Sequence, residues 1–414
     1  MVSTGTLERA GTAEAPIARR AGMGTLVLLG SIVVSFLAAS SAPTPLYAVY
    51  AGRWGFSPIT TTVIFGVYAI AVLLALLMLG RLSDRIGRRP VLLAGLALQG
   101  AAMLLFIAAD GLGALIAGRV LQGIATGGAL GTLGAAMIDV HRTRGTLANA
   151  VSPTLGTGFG ALASGLVVQF LPAPTRAIYA LLVAVFVVQA AGVLLLTPGR
   201  TGTGVRGLRG AFVPQIGVPR HLRAHVLTAV PALLAVWSLG GFYGSLAPAL
   251  VRHMSGSDSA ILGGLGLFVL AVSGAVATLL LDRTPPRTVM MIGIGLLTAG
   301  AAGTLAADGT GSVAVFLAAT LVAGTGFGSA FQGALRTVVP LAAPHERTGL
   351  LSVLYIVSYL GMGLPAVIAG VLVVHGGGLV WTARGYSLFV IVLAGAALAG
   401  LLRNGGRADE DARA

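Results

Sequence analysis

The chain has 414 residues, 56% of them apolar and only 9% charged, with a mean hydropathy of +0.94. A soluble domain carries about 25% charged residues, so this composition excludes a string of ordinary water-soluble domains and predicts a chain held mostly in lipid. No cysteine is present, which excludes disulfides, thiol catalysis and thiolate metal sites.

Apolar runs of about 20 residues, long enough to cross a hydrocarbon core, recur along the chain at 24–50, 59–80, 90–109, 112–138, 147–171, 177–197, 225–251, 260–281, 288–307, 312–339, 349–374 and 385–402. Twelve spans put both termini on one face, with 1–23 and 403–414 as tails. The net charge is +14 and all 26 basic residues are arginine. Arg53, Arg176, Arg252 and Arg384 fall on the face away from the tails and Arg119 inside span 4, which leaves 21 on the face of the tails. That is the positive-inside asymmetry. It predicts cytoplasmic termini in an inner or plasma membrane, and it argues against a groove for nucleic acid.

Span 1 begins like a secretory signal, with Arg19-Arg20, an apolar core and Ala38-Ala39-Ser40-Ser41-Ala42. Eleven further spans follow, so it is read as an anchor that is retained. Its outer part, Ser41-Ala42-Pro43-Thr44-Pro45-Leu46-Tyr47, carries prolines that can open backbone carbonyls toward a cavity. Tyr47 is placed at cavity depth; Tyr50 reads equally as a ligand or as an interfacial anchor.

Between spans 2 and 3 lies a short charged loop, Gly80-Arg81-Leu82-Ser83-Asp84-Arg85-Ile86-Gly87-Arg88-Arg89-Pro90. The pattern resembles the signature loop of major facilitator superfamily transporters. The resemblance extends to span 4, where Leu115 to Gly123 is similar to the family's L-x-x-x-R-x-x-Q-G motif through Arg119 and Gln122, and covers nearly the whole chain from Gly24 to Leu402. It implies an all-α integral membrane fold of two pseudo-symmetric six-helix bundles that rock about a central site. It also implies a conformational latch in which Arg85 and Arg88 reach acids such as Asp139 at the end of span 4, stabilising the outward-facing state; Gly80, Asp84 and Gly87 shape that loop. The plainer alternative is that these arginines only fix orientation.

Inserting Arg119 costs roughly 2.5–3.5 kcal/mol on translocon scales, so it must face protein or water. Either it is a cavity cation beside Gln122, or it snorkels to the outer interface. In span 5, Gly156, Gly160 and Gly165 are like the family's antiporter motif, with Ala161 in place of its proline. They are read as gating glycines and as a lean toward export, with generic small-residue packing as the alternative.

The stretch from Pro198 onward is rich in Gly, Pro and Arg and reads as a cytoplasmic linker, 198–224, between a first half at 24–197 and a second at 225–402. The halves look like repeats. Asp84-Arg85 matches Asp282-Arg283, which extends the latch to the second half; Gly123 to Gly127 matches Gly324 to Gly328, and Gly165 matches Gly370. In the second half Trp237 and Tyr243 of span 7, Gln332 of span 10, and Tyr355 and Tyr359 of span 11 are the further candidates for the substrate cavity.

No Asp, Glu or His falls at mid-span. A buried cation needs a buried anion beside it, so cationic drugs are disfavoured and a neutral or anionic small molecule is expected. An intramembrane enzyme lacks a base at depth, and a membrane sensor would be expected to carry a soluble output domain. The reading is therefore a non-enzymatic, monomeric secondary-active exporter of a metabolite or drug, working in the bilayer without cofactor or metal, with a sugar or organic-acid importer as the alternative. Protons are left open as a coupling ion.

Overall fold

The computed structural model describes residues 14–197 and 212–411, with side chains for 22–197 and 212–403. Most of the expected linker, 198–211, and the ends of both tails lie outside the described residues. Among the described residues there is no strand, and twelve helical spans are long and apolar enough to cross a membrane. They run over Gly22–Trp54, Pro58–Leu79, Arg88–Ile107, Leu112–Val140, Arg142–Phe170, Pro174–Leu196, Arg220–Ser245, Ala260–Leu280, Pro286–Thr310, Val313–Leu341, Arg347–His375 and Leu379–Arg403. Large apolar side chains such as Leu195, Leu280, Val188 and Phe170 stand on the outer surface, as expected where lipid is the solvent.

Two spans end elsewhere than hydropathy suggests. Span 5 starts at Arg142, because His141 Nδ1 accepts from Arg144 N at 3.3 Å and caps a polar first turn outside the apolar run. Span 12 starts at Leu379, after Gly377 and Gly378 at positive φ, and takes Arg384 into the helix. Its charge is met by Asp308 of span 9 at 2.5 Å.

Spans 1 and 7 are each built of two helices. Glu14–Ser41 gives way at Ala42 to Pro43–Trp54, and Arg223–Ser245 gives way at Leu246 to Ala247–Ser255. The cause is local: Pro43, Pro45 and Pro248 lack the N–H that would continue the helical ladder.

The internal repeat is visible in the packing. Gly123 and Gly127 of span 4 lie directly on span 2, at Tyr68, Ala71 and Val72; Gly324 and Gly328 of span 10 lie in the same way on span 8, at Leu270 and Gly274. Gly165 of span 5 meets Ala260 of span 8, and Gly370 of span 11 meets Thr62 of span 2, so these two form equivalent contacts between the halves. Arg89, at the start of span 3, donates to Leu194 O near the end of span 6 at 3.0 Å; Arg287, at the start of span 9, donates to Leu401 O near the end of span 12 at 3.2 Å. Arg89 sits where the C-terminus of span 6 favours positive charge. With little hydrophobic drive between helices in lipid, such small-residue approaches and hydrogen bonds hold the bundle.

Candidate substrate pathway between the halves

Arg119 is fully buried inside the first half. Its Nη1 donates to Ser40 O at 2.8 Å and to Gln122 Oε1 at 2.7 Å, and its Nη2 donates to Tyr47 OH at 2.6 Å. The guanidinium also lies 4.8 Å from the Tyr68 ring and 5.8 Å from the Tyr47 ring, within cation–π range. Gln122 Nε2 completes the clamp by donating to Ala39 O at 2.9 Å. Pro43 stands four residues after Ala39, so this carbonyl has lost its helical partner. Ser164 Oγ donates to Ala42 O at 2.6 Å. The break in span 1 is thus stitched to spans 4 and 5.

In this structure Arg119 does not reach the outer interface, because the acceptors beside the span 1 break hold it within its own half. Gln122 and Tyr47, 0% and 4% exposed, are held in the same network. Tyr243 is 1% exposed, shares a hydrogen bond with Thr320 Oγ1 at 2.7 Å and stacks on Phe316 inside the second half. Tyr50 is neither anchor nor ligand; its hydroxyl donates to Tyr179 OH at 3.1 Å and its ring stacks on Trp54.

The other aromatic candidates come together where the halves meet. Tyr68 of span 2 packs in one cluster with Tyr359, Trp237 and Tyr355. Trp237 lies 5.0 Å from Tyr359 and 5.7 Å from Phe331, measured between ring centroids. The buried Trp237 Nε1–H has no acceptor, and Gln332, whose Nε2 donates to Thr278 O at 3.2 Å, keeps Oε1 without a donor. Buried polar atoms are normally satisfied, so an unpaired indole N–H in an aromatic wall is a point where a solute can bind. Tyr68 was missed in the sequence because no motif surrounds it; its ring separates Arg119 from the seam.

The seam is sealed at the face opposite the termini. Thr44 Oγ1 of span 1 donates to Gly244 O of span 7 at 3.1 Å, and Phe65 of span 2 fills the space beside Gly244. Beyond this seal a cleft of about 200 Å³ opens between Pro45, Val49, Pro248, Arg252 and Asp258. The three glycines of span 5 are crossing points: Gly156 and Gly160 leave no room for a side chain against Val34 and Ala38 of span 1, and Gly165 faces span 8.

On the termini face Arg88 and Asp139 form an ion pair. Gly87 turns the loop at φ 89°, a conformation suited to glycine, and Gly80 ends span 2. Arg85 is half-buried, and neither it nor Asp84, exposed on the short helix Leu82–Ile86, has an ion-pair partner among the described residues. Asp282 and Arg283 do not form the expected second latch. Both are exposed, and the end of span 10 offers a base in place of an acid: Arg336 donates to Leu281 O and Thr284 O at 3.3 and 3.0 Å.

A family model described as Major Facilitator Superfamily matches residues 27–366. The fold matches a crystal structure of the nucleoside transporter NupG (D323A mutant) with a TM-score of 0.69 over 91% of this chain and 99% of that one, at 14% sequence identity. No curated protein matches the sequence.

Proposed function

The chain belongs to the Major Facilitator Superfamily, and on that premise we propose that it carries a small, flat, uncharged solute by alternating access, with export as its working direction. The observation that carries this reading is the unpaired Trp237 Nε1–H in the wall of Tyr68, Tyr355, Tyr359 and Phe331. Such a wall stacks against an aromatic ring and offers it one hydrogen bond. The anionic alternative loses its support, because the guanidinium that would have met an anion is spent on Ser40, Gln122 and Tyr47. Nucleosides, named for the structural neighbour, have the right shape and charge, but a 14% identical neighbour speaks for the fold alone. Export rests on the likeness of the span 5 glycines to an antiporter motif.

The placement that goes with this reading is a monomer in the inner or plasma membrane, with a cytoplasmic linker joining the halves and cytoplasmic termini, as the arginine asymmetry favours. The test uses intrinsic fluorescence. Of three tryptophans, Trp54 stacks on Tyr50 and Trp381 is 65% exposed. A Trp54→Phe, Trp381→Phe protein therefore reports from Trp237 alone. Nicotinamide or uridine should quench it saturably, and gluconate should not. Trp237→Phe in the otherwise native chain should weaken binding of the same probe roughly 2- to 10-fold, the worth of one neutral hydrogen bond. Quenching by gluconate and by neither ring compound would contradict the proposal.

A further inference from the structure

We infer that this carrier is not coupled to a proton or sodium gradient: it exports its solute only down the solute's own gradient and does not pump it against one. The inference rests on the transporter reading above and concerns its energy source. A coupling cation needs a site near mid-membrane, made from a titratable side chain or from the carbonyls that broken helices release.

The titratable source is missing at depth. Among the described residues every Asp, Glu and His lies in a loop or within two residues of a helix end, Asp139, His225, Asp308 and His375 included. Asp308, the most buried of the ion-paired acids, is committed to Arg384. Guanidinium and phenol side chains are not the groups that exchange a proton near neutral pH.

The carbonyl source is occupied by the chain's own donors. Pro43, Pro248 and Pro365 deprive Ala39 O, Gly244 O and Gly361 O of their helical N–H partners. Each accepts a side chain instead: Gln122 Nε2 at 2.9 Å, Thr44 Oγ1 at 3.1 Å and Ser238 Oγ at 2.9 Å. Ser40 O and Ala42 O beside the span 1 break take Arg119 and Ser164. A hard cation wants about six oxygens or more. Here the five oxygens just named already face N–H and O–H groups; Ser41 O, freed by Pro45, is left as a single oxygen, and a fixed guanidinium repels any cation approaching span 1. The remaining unpaired acceptors, Gln99 Oε1, Thr132 Oγ1 and Gln332 Oε1, are split between the two halves.

The test uses the full chain in proteoliposomes with nicotinamide and uridine as probes. Whichever enters should stop at equal concentration inside and outside, and imposed pH or sodium gradients should leave that ratio at one. Accumulation several-fold above the outside level, collapsing on addition of an ionophore, would overturn the inference. If neither probe moves, the solute reading fails and coupling is read without a solute. The cysteine-free chain is spin-labelled at Gly52→Cys and Gly309→Cys, positions with open space around them on the outer ends of spans 1 and 9. The distance distribution should be the same in sodium and choline, and the same at about pH 8 and about pH 9, above the range where exposed histidines titrate. A shift between the halves in either comparison would overturn the inference independently of any solute.

Discussion

A guanidinium in the middle of span 4 has three acceptors at 2.6–2.8 Å and two phenol rings against it, and none of its surface is exposed. These contacts tie the broken helix of span 1 to span 4. Arg119→Gln leaves Ser40 O and Tyr47 OH without their donor, and each unsatisfied buried group costs about 1–3 kcal/mol. The charge removed returns roughly 2.5–3.5 kcal/mol of insertion cost. The expected result is a protein that inserts well but melts at lower temperature, with the affinity for nicotinamide or uridine nearly unchanged. Arg119→Lys should recover little stability, because an ammonium cannot reproduce the planar fork. A thermal melt and a binding curve on the same samples check this; a lost affinity with an unchanged melt would return Arg119 to the solute site. The importance of Arg119, Gln122 and Tyr47 was legible in the sequence. The direction in which they point was not: in a span apolar on every side, no hydrophobic face says which residues turn to the seam and which to their own half.

Spans 1 and 7 break at proline, and the two breaks meet each other, Thr44 donating to Gly244 O. Thr44→Val keeps the shape and removes the hydroxyl, and Gly244→Ala pushes a methyl into Phe65. Both should open the seal. Engineered cysteines at the seam should then react faster with a membrane-impermeant thiol reagent from the face opposite the termini; unchanged rates would show that the seal lies elsewhere. On the termini face Arg88 and Asp139 should couple in a double-mutant cycle, by about 0.2–1 kcal/mol for so exposed a pair. Asp84→Asn and Asp139→Asn should add independently, since they share no contact; a coupling term between them would restore the larger latch. Pro43 and Pro45 marked span 1 as a place where carbonyls open, but Pro153, Pro231 and Pro365 stand inside unbroken helices, so proline alone did not locate the breaks. The polar first turn of span 5 and the paired Arg384 of span 12 were unreadable, because hydropathy sees a charge and not the capping or ion-pairing group that meets it.

The whole molecule is one pattern used twice, and part of that was written in the sequence. The glycines of spans 4 and 10, and Gly165 with Gly370, occupy equivalent contacts in the two halves. The charged loops diverge: the acid that closes the first, Asp139, is replaced near the equivalent place by Arg336, and only the partner's position in space reveals that exchange. Reporter fusions after Leu222 and at the C-terminus should both report cytoplasm, with the opposite signal from either excluding the proposed orientation. The most direct test of the central claim is flux through the purified chain in proteoliposomes, comparing nicotinamide and uridine with gluconate. Saturable movement of a ring compound, slowed by Trp237→Phe, with gluconate left outside, is the predicted result. Movement of gluconate alone, or ring-compound flux indifferent to Trp237, would contradict it.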